Sequence, residues 1–351
     1  MRSEERRNEL RNRLAVFMGI MTAVVAALLV AVVLILILSK DPARSLYYYF
    51  AGPFTSKFIF FNMIESSIPV IFSGLGVAVA FRSGVTNLGG EGQIFAGAMV
   101  AVLLGVWLPE MPGFIGMLLL LTGGLAVGAL IGSLSGFLRM KWKVSDLLST
   151  YLISMGLVQV INYLILGPFR DPARIRIQSL SIPGSYMLSR IASPSYLHAG
   201  LFIALAVALF VHVLMKHTHT GYHLRVTGSN RQFARYGGIN IRPFYVLPLA
   251  ISGGLIGLGG AVQVVGRYQA CFTDLTAGLG WAGIGVALIA RRNPLGVVPA
   301  ALFYVYLQSG ARVAMMNSDV TYEIAAIVTS VIFYLITAEV TFAFFRRRLV
   351  K

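Results

Sequence analysis

Long apolar runs, repeated along the whole chain, confine this protein to one environment. Ten can be marked, at residues 14–38, 58–81, 88–108, 113–138, 146–166, 197–215, 244–265, 276–290, 295–313 and 322–345. Crossing a hydrocarbon core takes roughly 20 helical residues. Most runs reach that length, while several fall short or are interrupted by glycine. Inside lipid, backbone N–H and C=O groups find partners only in helices or closed barrels, and runs of this length are helical. The expected fold class is an all-α polytopic membrane protein, a single transmembrane domain covering residues 1–351. The composition agrees, because 12% charged residues is about half of what a soluble chain carries. The 37 glycines, mostly inside apolar runs, suit helices that pack closely in lipid.

A net charge of +16 suggests nucleic acid until the charges are placed. Arg2, Arg6, Arg7, Arg11 and Arg13 precede the first run. That run is too long for a secretory signal, and no small-x-small cleavage site follows it. An uncleaved first span then starts inside, with residues 1–13 as a cytoplasmic N-terminal segment. With that start, 20 of the 29 basic residues fall on cytoplasmic segments, as the positive-inside rule requires. No nucleic-acid partner is needed. Both termini are cytoplasmic, 216–243 is a cytoplasmic loop and 167–196 an outer loop with room for a short helix. Spans two to five enter from outside and spans seven to ten from inside, the parity of an inverted repeat of two four-helix halves. The single cysteine, Cys271, excludes an internal disulfide and a cysteine-rich metal site.

Two stretches carry the candidate chemistry. In the loop 216–243, Ser229 followed by Gln232 reads as a capping box, and Gly237-Gly238 as a helix stop. Between them lies a helix of about two turns. Arg231 and Arg235 share one side of it, Phe233 and Tyr236 another. A loop that presses on a partner needs such a device; the alternative is a basic loop resting on lipid headgroups. The second stretch, 80–94, places glycines at 84, 89, 90 and 92, each costing a helix about 1 kcal/mol. Broken backbone at membrane depth must be covered by protein or water, so Asn87, Glu91 and Gln93 face the bundle interior or its cytoplasmic mouth. Glu91 needs a partner such as Arg82. These residues either line a solute pathway or only satisfy the broken backbone. Trp281 either stacks on a planar ligand or plugs a packing gap.

The remaining polar groups are less telling. His217, His219 and His223 have a spacing that could hold a transition metal, but a solvated face is the plainer account, and no metal site is expected. His212, within a span, is expected to be packed in the core. Glu65, Gln159, Asn162, Gln263, Gln308, Arg312, Asn317 and Glu339 glue helices together or line a path. No Gly-x-x-x-x-Gly-Lys-Ser/Thr loop occurs, so the chain is not itself an ATPase by that route, and no hydrolase or zinc-protease motif occurs.

The order of residues also carries a resemblance. Gly-Tyr-His-Leu-Arg-Val-Thr-Gly-Ser-Asn at 221–230 and Ala-Arg-Tyr-Gly-Gly-Ile at 234–239 resemble the cytoplasmic coupling loop of bacterial ABC importer permeases. Phe-Arg-Ser-Gly-Val-Thr-Asn-Leu-Gly-Gly-Glu-Gly-Gln at 81–93 resembles a signature of the nucleoside (basic-membrane-protein-linked) branch, to which riboflavin permeases are similar. The block 278–296 resembles that branch's glycine-rich C-terminal segment, with departures at Ala282 and Ala290. The resemblance implies a permease subunit without ATPase activity in a bacterial cytoplasmic membrane, importing a nucleoside-like solute, with riboflavin or ribose as alternatives. It implies that Ser229, Arg231, Gln232, Phe233, Arg235, Tyr236 and Gly237 couple to a cytosolic ABC ATPase. ATP and Mg then sit on that ATPase, and this chain binds no cofactor. The other implied partners are a second permease subunit, as a heterodimer or a homodimer, and an outer substrate-binding (lipo)protein. A carrier driven by protons or sodium through Glu65, Glu91 and Glu339 is the competing class.

Overall fold

The computed structural model describes residues 25, 26 and 28–337. The segment 1–13, the first half of the first apolar run, Glu339 and the basic C-terminal residues lie outside them. Thirteen helices follow in order: α1 (Leu28–Leu38), α2 (Pro42–Phe50), α3 (Lys57–Arg82), α4 (Gly90–Trp107), α5 (Gly113–Trp142), α6 (Asp146–Leu166), α7 (Gly200–His217), α8 (His219–Ser229), α9 (Arg231–Tyr236), α10 (Pro243–Gln263), α11 (Leu279–Ile289), α12 (Pro294–Asn317) and α13 (Tyr322–Thr337). Extended pairing among the described residues is confined to three isolated bridges. Among the described residues, six helices are long and apolar enough to cross a membrane: α3, α4, α5, α6, α7 and α10 with its extension to Tyr268. The 146–166 run has the bounds expected for it. The 276–290 run instead yields α11, whose 11 residues cover about 16 Å, half the hydrocarbon thickness.

The chain divides into two compact units, one running up to Phe60 and resuming at Tyr304, the other Phe61–Phe303. In the first, Asp319 accepts hydrogen bonds from Ser39 Oγ (2.7 Å) and Ser45 Oγ (2.9 Å), tying the α1–α2 turn to the α12–α13 turn.

The second unit is built on α4, α5 and α10, and glycine sets their spacing. Gly124, Gly128, Gly132 and Gly136 recur every four residues on α5, so they form one stripe. A Cβ at Gly128 would lie 2.1 Å from Gly253 O, and one at Gly132 2.0 Å from Leu249 O, both on α10. On α4, a Cβ at Gly97 would lie 2.1 Å from Gly257 O. Backbone therefore touches backbone across all three helices. In lipid this close contact replaces the hydrophobic drive that water would supply.

At one end of this unit α10 widens into a π-helical turn, Val264–Tyr268, which brings Arg267 into an ion pair with Glu65 of α3. His198 Nε2 lies 3.9 Å from the same carboxylate, and His198 Nδ1 accepts the Gly200 N–H at 3.1 Å. The segment 167–196 carries one short helical turn, Gly184–Tyr186. It is fastened to the chain around this turn by Leu188 N–H to Val265 O (2.8 Å), Ile182 N–H to Gln269 O (2.8 Å) and Ser179 N–H to Cys271 O (2.7 Å).

Candidate functional site

At the opposite end of the unit, α3 stops in a Schellman turn. Gly84 sits at φ +67°, the Gly84 N–H reaches Phe81 O, and the Val85 N–H reaches Ala80 O. Ala80 and Val85 pack together with Leu249, the apolar contact that usually accompanies this motif. The chain then runs irregularly to Gly89 before α4 begins. Its freed N–H groups find partners on α6: Thr86 on Asp146 Oδ2 (2.8 Å) and Leu88 on Thr150 Oγ1 (3.1 Å). In the first turn of α4, the Gly92 N–H finds Ser154 Oγ (2.7 Å). Arg139 pairs with the same Asp146. A buried break persists when its freed donors are answered in this way.

Asn87 and Gln93 are fully buried and bonded to each other through both amide groups. Asn87 also donates to Ser252 Oγ (2.8 Å) and accepts from the Gly89 N–H (2.9 Å). Glu91, 8% exposed, has a different partner from the expected Arg82. Its Oε1 accepts the N–H groups of Gly280 (2.9 Å) and Trp281 (3.4 Å) in the first turn of α11. Those N–H groups have no intrahelical acceptor, so a carboxylate beside them satisfies donors and complements the helix dipole. Gly90 and Gly280 permit the contact, since a Cβ at Gly90 would lie 2.7 Å from Gly280 Cα. The Trp281 ring, 47% exposed, lies 6.2 Å from that of Tyr151 on α6.

The loop 216–243 holds two helices where the sequence suggested one. Thr218 Oγ1 caps α8 by accepting the Gly221 N–H at 3.0 Å. Ser229 ends α8 and donates to Arg225 O at 3.0 Å, so it does not open the next helix. The N-cap of α9 is Asn230, whose Oδ1 accepts the Phe233 N–H at 3.0 Å, while Gln232 is exposed. Asparagine is at least as good a cap as serine and stands one residue closer to the apolar positions. The expected glycine stop is present as a second Schellman turn. Gly238 takes φ +79°, and the Ile239 N–H reaches Ala234 O at 3.0 Å. Ala234 is the buried anchor of α9. Phe233 and Tyr236 are 66% and 91% exposed, Arg235 and Gly237 are exposed, and Arg231 lies over the Tyr245 ring at 4.7 Å.

The loop and the break meet directly. A Cβ at Gly228 of α8 would lie 2.5 Å from Ser83 C, and one at Gly84 2.6 Å from Gly228 O. Neither Gly228 nor Ser252 stood out in the sequence, and the glycine's position in an apparently irregular loop was its only signal. His212 is half-buried on α7, with its ring 6.3 Å from that of His217, and is not a core residue. Among the described residues, no group of three or more His, Cys, Asp or Glu is arranged to hold a metal ion.

A bundle of apolar helices, interrupted between α3 and α4 and pressed there by a basic helical loop, has the build of a multi-pass membrane protein. A family model described as "Branched-chain amino acid transport system / permease component" matches residues 59–337, and the chain belongs to that family. It is 30% identical to a probable riboflavin import permease protein of Treponema pallidum (strain Nichols), over 87% of this chain and 81% of that one. It is 31% identical to a guanosine ABC transporter permease protein of Bacillus subtilis (strain 168), over 82% and 83%. A glucose ABC transporter permease protein of Haloferax volcanii is 28% identical, over 89% and 84%.

Proposed function

We propose that the chain is one permease subunit of an ABC importer and passes a nucleoside-like solute across a bacterial cytoplasmic membrane. Both termini and the α8–α9 loop lie on the cytoplasmic side. A separate cytosolic ATPase, holding ATP and Mg, docks on α9 through Phe233, Tyr236, Arg235 and the neighbouring Arg231, Gln232, Ser229 and Gly237. A second permease subunit, different or identical, completes the path, and an outer substrate-binding (lipo)protein delivers the solute. Asn87 and Gln93 hold the break, while Glu91 holds Trp281 beside the path.

The observation that carries this proposal is the loop itself. A six-residue helix is unstable alone, yet α9 is capped at both ends and anchored by Ala234. It presents two aromatic side chains to solvent while its neighbour α8 rests on the break. Exposed aromatics beside arginines are what a small, energetically concentrated interface uses. The solute assignment is supported by the guanosine and riboflavin permeases among the relatives. Uptake of labelled guanosine, riboflavin and glucose into vesicles, each with the unlabelled solutes as competitors, tests it. Competition by purine and pyrimidine nucleosides is expected. Competition by riboflavin alone moves the solute to the second choice, and competition by glucose alone overturns the nucleoside assignment.

A further inference from the structure

The helices α5, α6 and α7 each turn one face away from the second unit, and the three faces differ in chemistry. On α7 the exposed residues within the apolar run are Phe202, Leu205, Ala206, Leu209, Phe210 and Val213. The one exposed polar side chain in the middle of α5, Thr122, returns its hydroxyl to Leu118 O at 2.9 Å. Both faces suit lipid tails. The α6 face is mixed: Leu148, Leu152, Val160 and Leu166 are exposed on it, with polar groups standing among them. Gly156, Gln159 and Tyr163 fall on one stripe, and all three are exposed. A Cβ at Gly156 would meet nothing within 4 Å. Gln159 lies near the middle of a 21-residue span, and an amide held there against hydrocarbon costs free energy unless water or a polar group answers it. Toward the loop end the stripe continues through Leu152 and Leu148, and Tyr151, with the half-exposed Trp281 against it, stands to one side, about 18 Å from Tyr163 along the helix.

We infer that this stripe of α6, together with Trp281, forms a wall of the solute path and takes a planar, uncharged ring that offers hydrogen bonds. It rests on the transport function proposed above and adds the surface that the solute touches. Aromatic side chains at both ends supply faces for stacking, Gln159 supplies one donor and one acceptor pair between them, and Gly156 leaves room for the ring. No charged residue follows Asp146 on α6, so nothing on the stripe neutralises an ionic solute.

Cysteine accessibility tests this in the intact transporter. The background is low, because Cys271 is the one native cysteine and burial pushes its thiol up, away from the reactive thiolate. Gly156→Cys and Gln159→Cys are expected to react with a charged, water-soluble thiosulfonate at least roughly tenfold faster than Leu205→Cys or Leu130→Cys, since the thiolate forms only in water. Guanosine or riboflavin should slow the reaction. Reaction no faster than at the control positions, meaning lipid or the second subunit covers the stripe, overturns the proposal. Fast reaction that neither guanosine nor riboflavin slows also overturns the solute contact. Uptake supplies an independent check, with Gln159→Leu expected to lower kcat/KM by about tenfold, as for the loss of one good hydrogen bond, and Gln159→Asn to restore part of it. Unchanged uptake in Gln159→Leu counts against the proposal. Should glucose win the uptake competition, the nucleoside assignment fails while fast aqueous labelling of the stripe persists, so the two failures are distinct.

Discussion

His198 shows how much one buried side chain can set. Burial, and then the Arg267 guanidinium, press its pKa from 6.5 down to about 4. At neutral pH the ring is uncharged, with Nδ1 accepting from Gly200 and Nε2 turned toward Glu65. Arg267 supplies the carboxylate with an opposite charge that the neutral ring does not. A folded pKa below the unfolded value means the unfolded chain binds the proton first as the medium acidifies. The stability this residue contributes is complete above pH 6.5 and is lost between there and about 4. The full loss amounts to about 3 kcal/mol for a shift of this size. The thermal midpoint of the solubilised protein should fall over that window, and His198→Gln should flatten the fall. An unchanged slope in the variant would remove His198 as its cause. Asp319 works by the same rule in the first unit. Hydrogen bonds from Ser39 and Lys40 hold its carboxyl down at about 2, so it stays charged at any physiological pH.

Among the elements, α9 depends on its ends. Removing an N-cap costs about 1 kcal/mol, a large amount for a helix of six residues. Asn230→Ala should therefore speed amide exchange across 231–236, whereas Ser229→Ala should leave it nearly unchanged. Equal effects from both would restore Ser229 as the cap. Gly228→Ala tests the contact beneath the loop. The new methyl meets the Ser83–Gly84 backbone, which cannot move aside as a flexible side chain would, and overpacking of this kind costs about 1–3 kcal/mol. ATPase retention should survive while uptake falls, because α9 is untouched and its connection to the break is displaced. Uptake at the wild-type rate would show that the contact transmits nothing. These elements were unequally legible in the sequence. The break at 83–89 and the glycine stop after α9 could be found, because left-handed backbone selects glycine. α8 could not, since Gly221 and Gly228 lower its helix propensity and serve close packing instead. The Ser229–Gln232 spacing suggested the wrong cap because it resembles a capping box whose first residue is in fact the end of another helix.

At the scale of the molecule, apolar runs are enough to indicate a helical membrane protein, yet they do not separate spans from partial ones. α11 is as apolar as a span but half as long, and what fixes its start is Glu91 from another helix. Such a pairing between residues 91 and 280 has no local signature. The break, Glu91 and α11 thus form a continuous chain of contacts that begins at Gly228, directly beneath the helix proposed to meet the ATPase. The central claim is that ATP-driven motion enters through α9. Its most direct measurement is retention of the ATPase on the purified permease bearing Phe233→Ala, read beside solute-stimulated ATP hydrolysis. If Phe233 is buried at the interface as a hot spot, its loss weakens association by about 2 kcal/mol, near thirtyfold, and stimulation falls with it. Retention and stimulation both at wild-type levels would contradict the account and leave α9 as a basic helix resting on lipid headgroups.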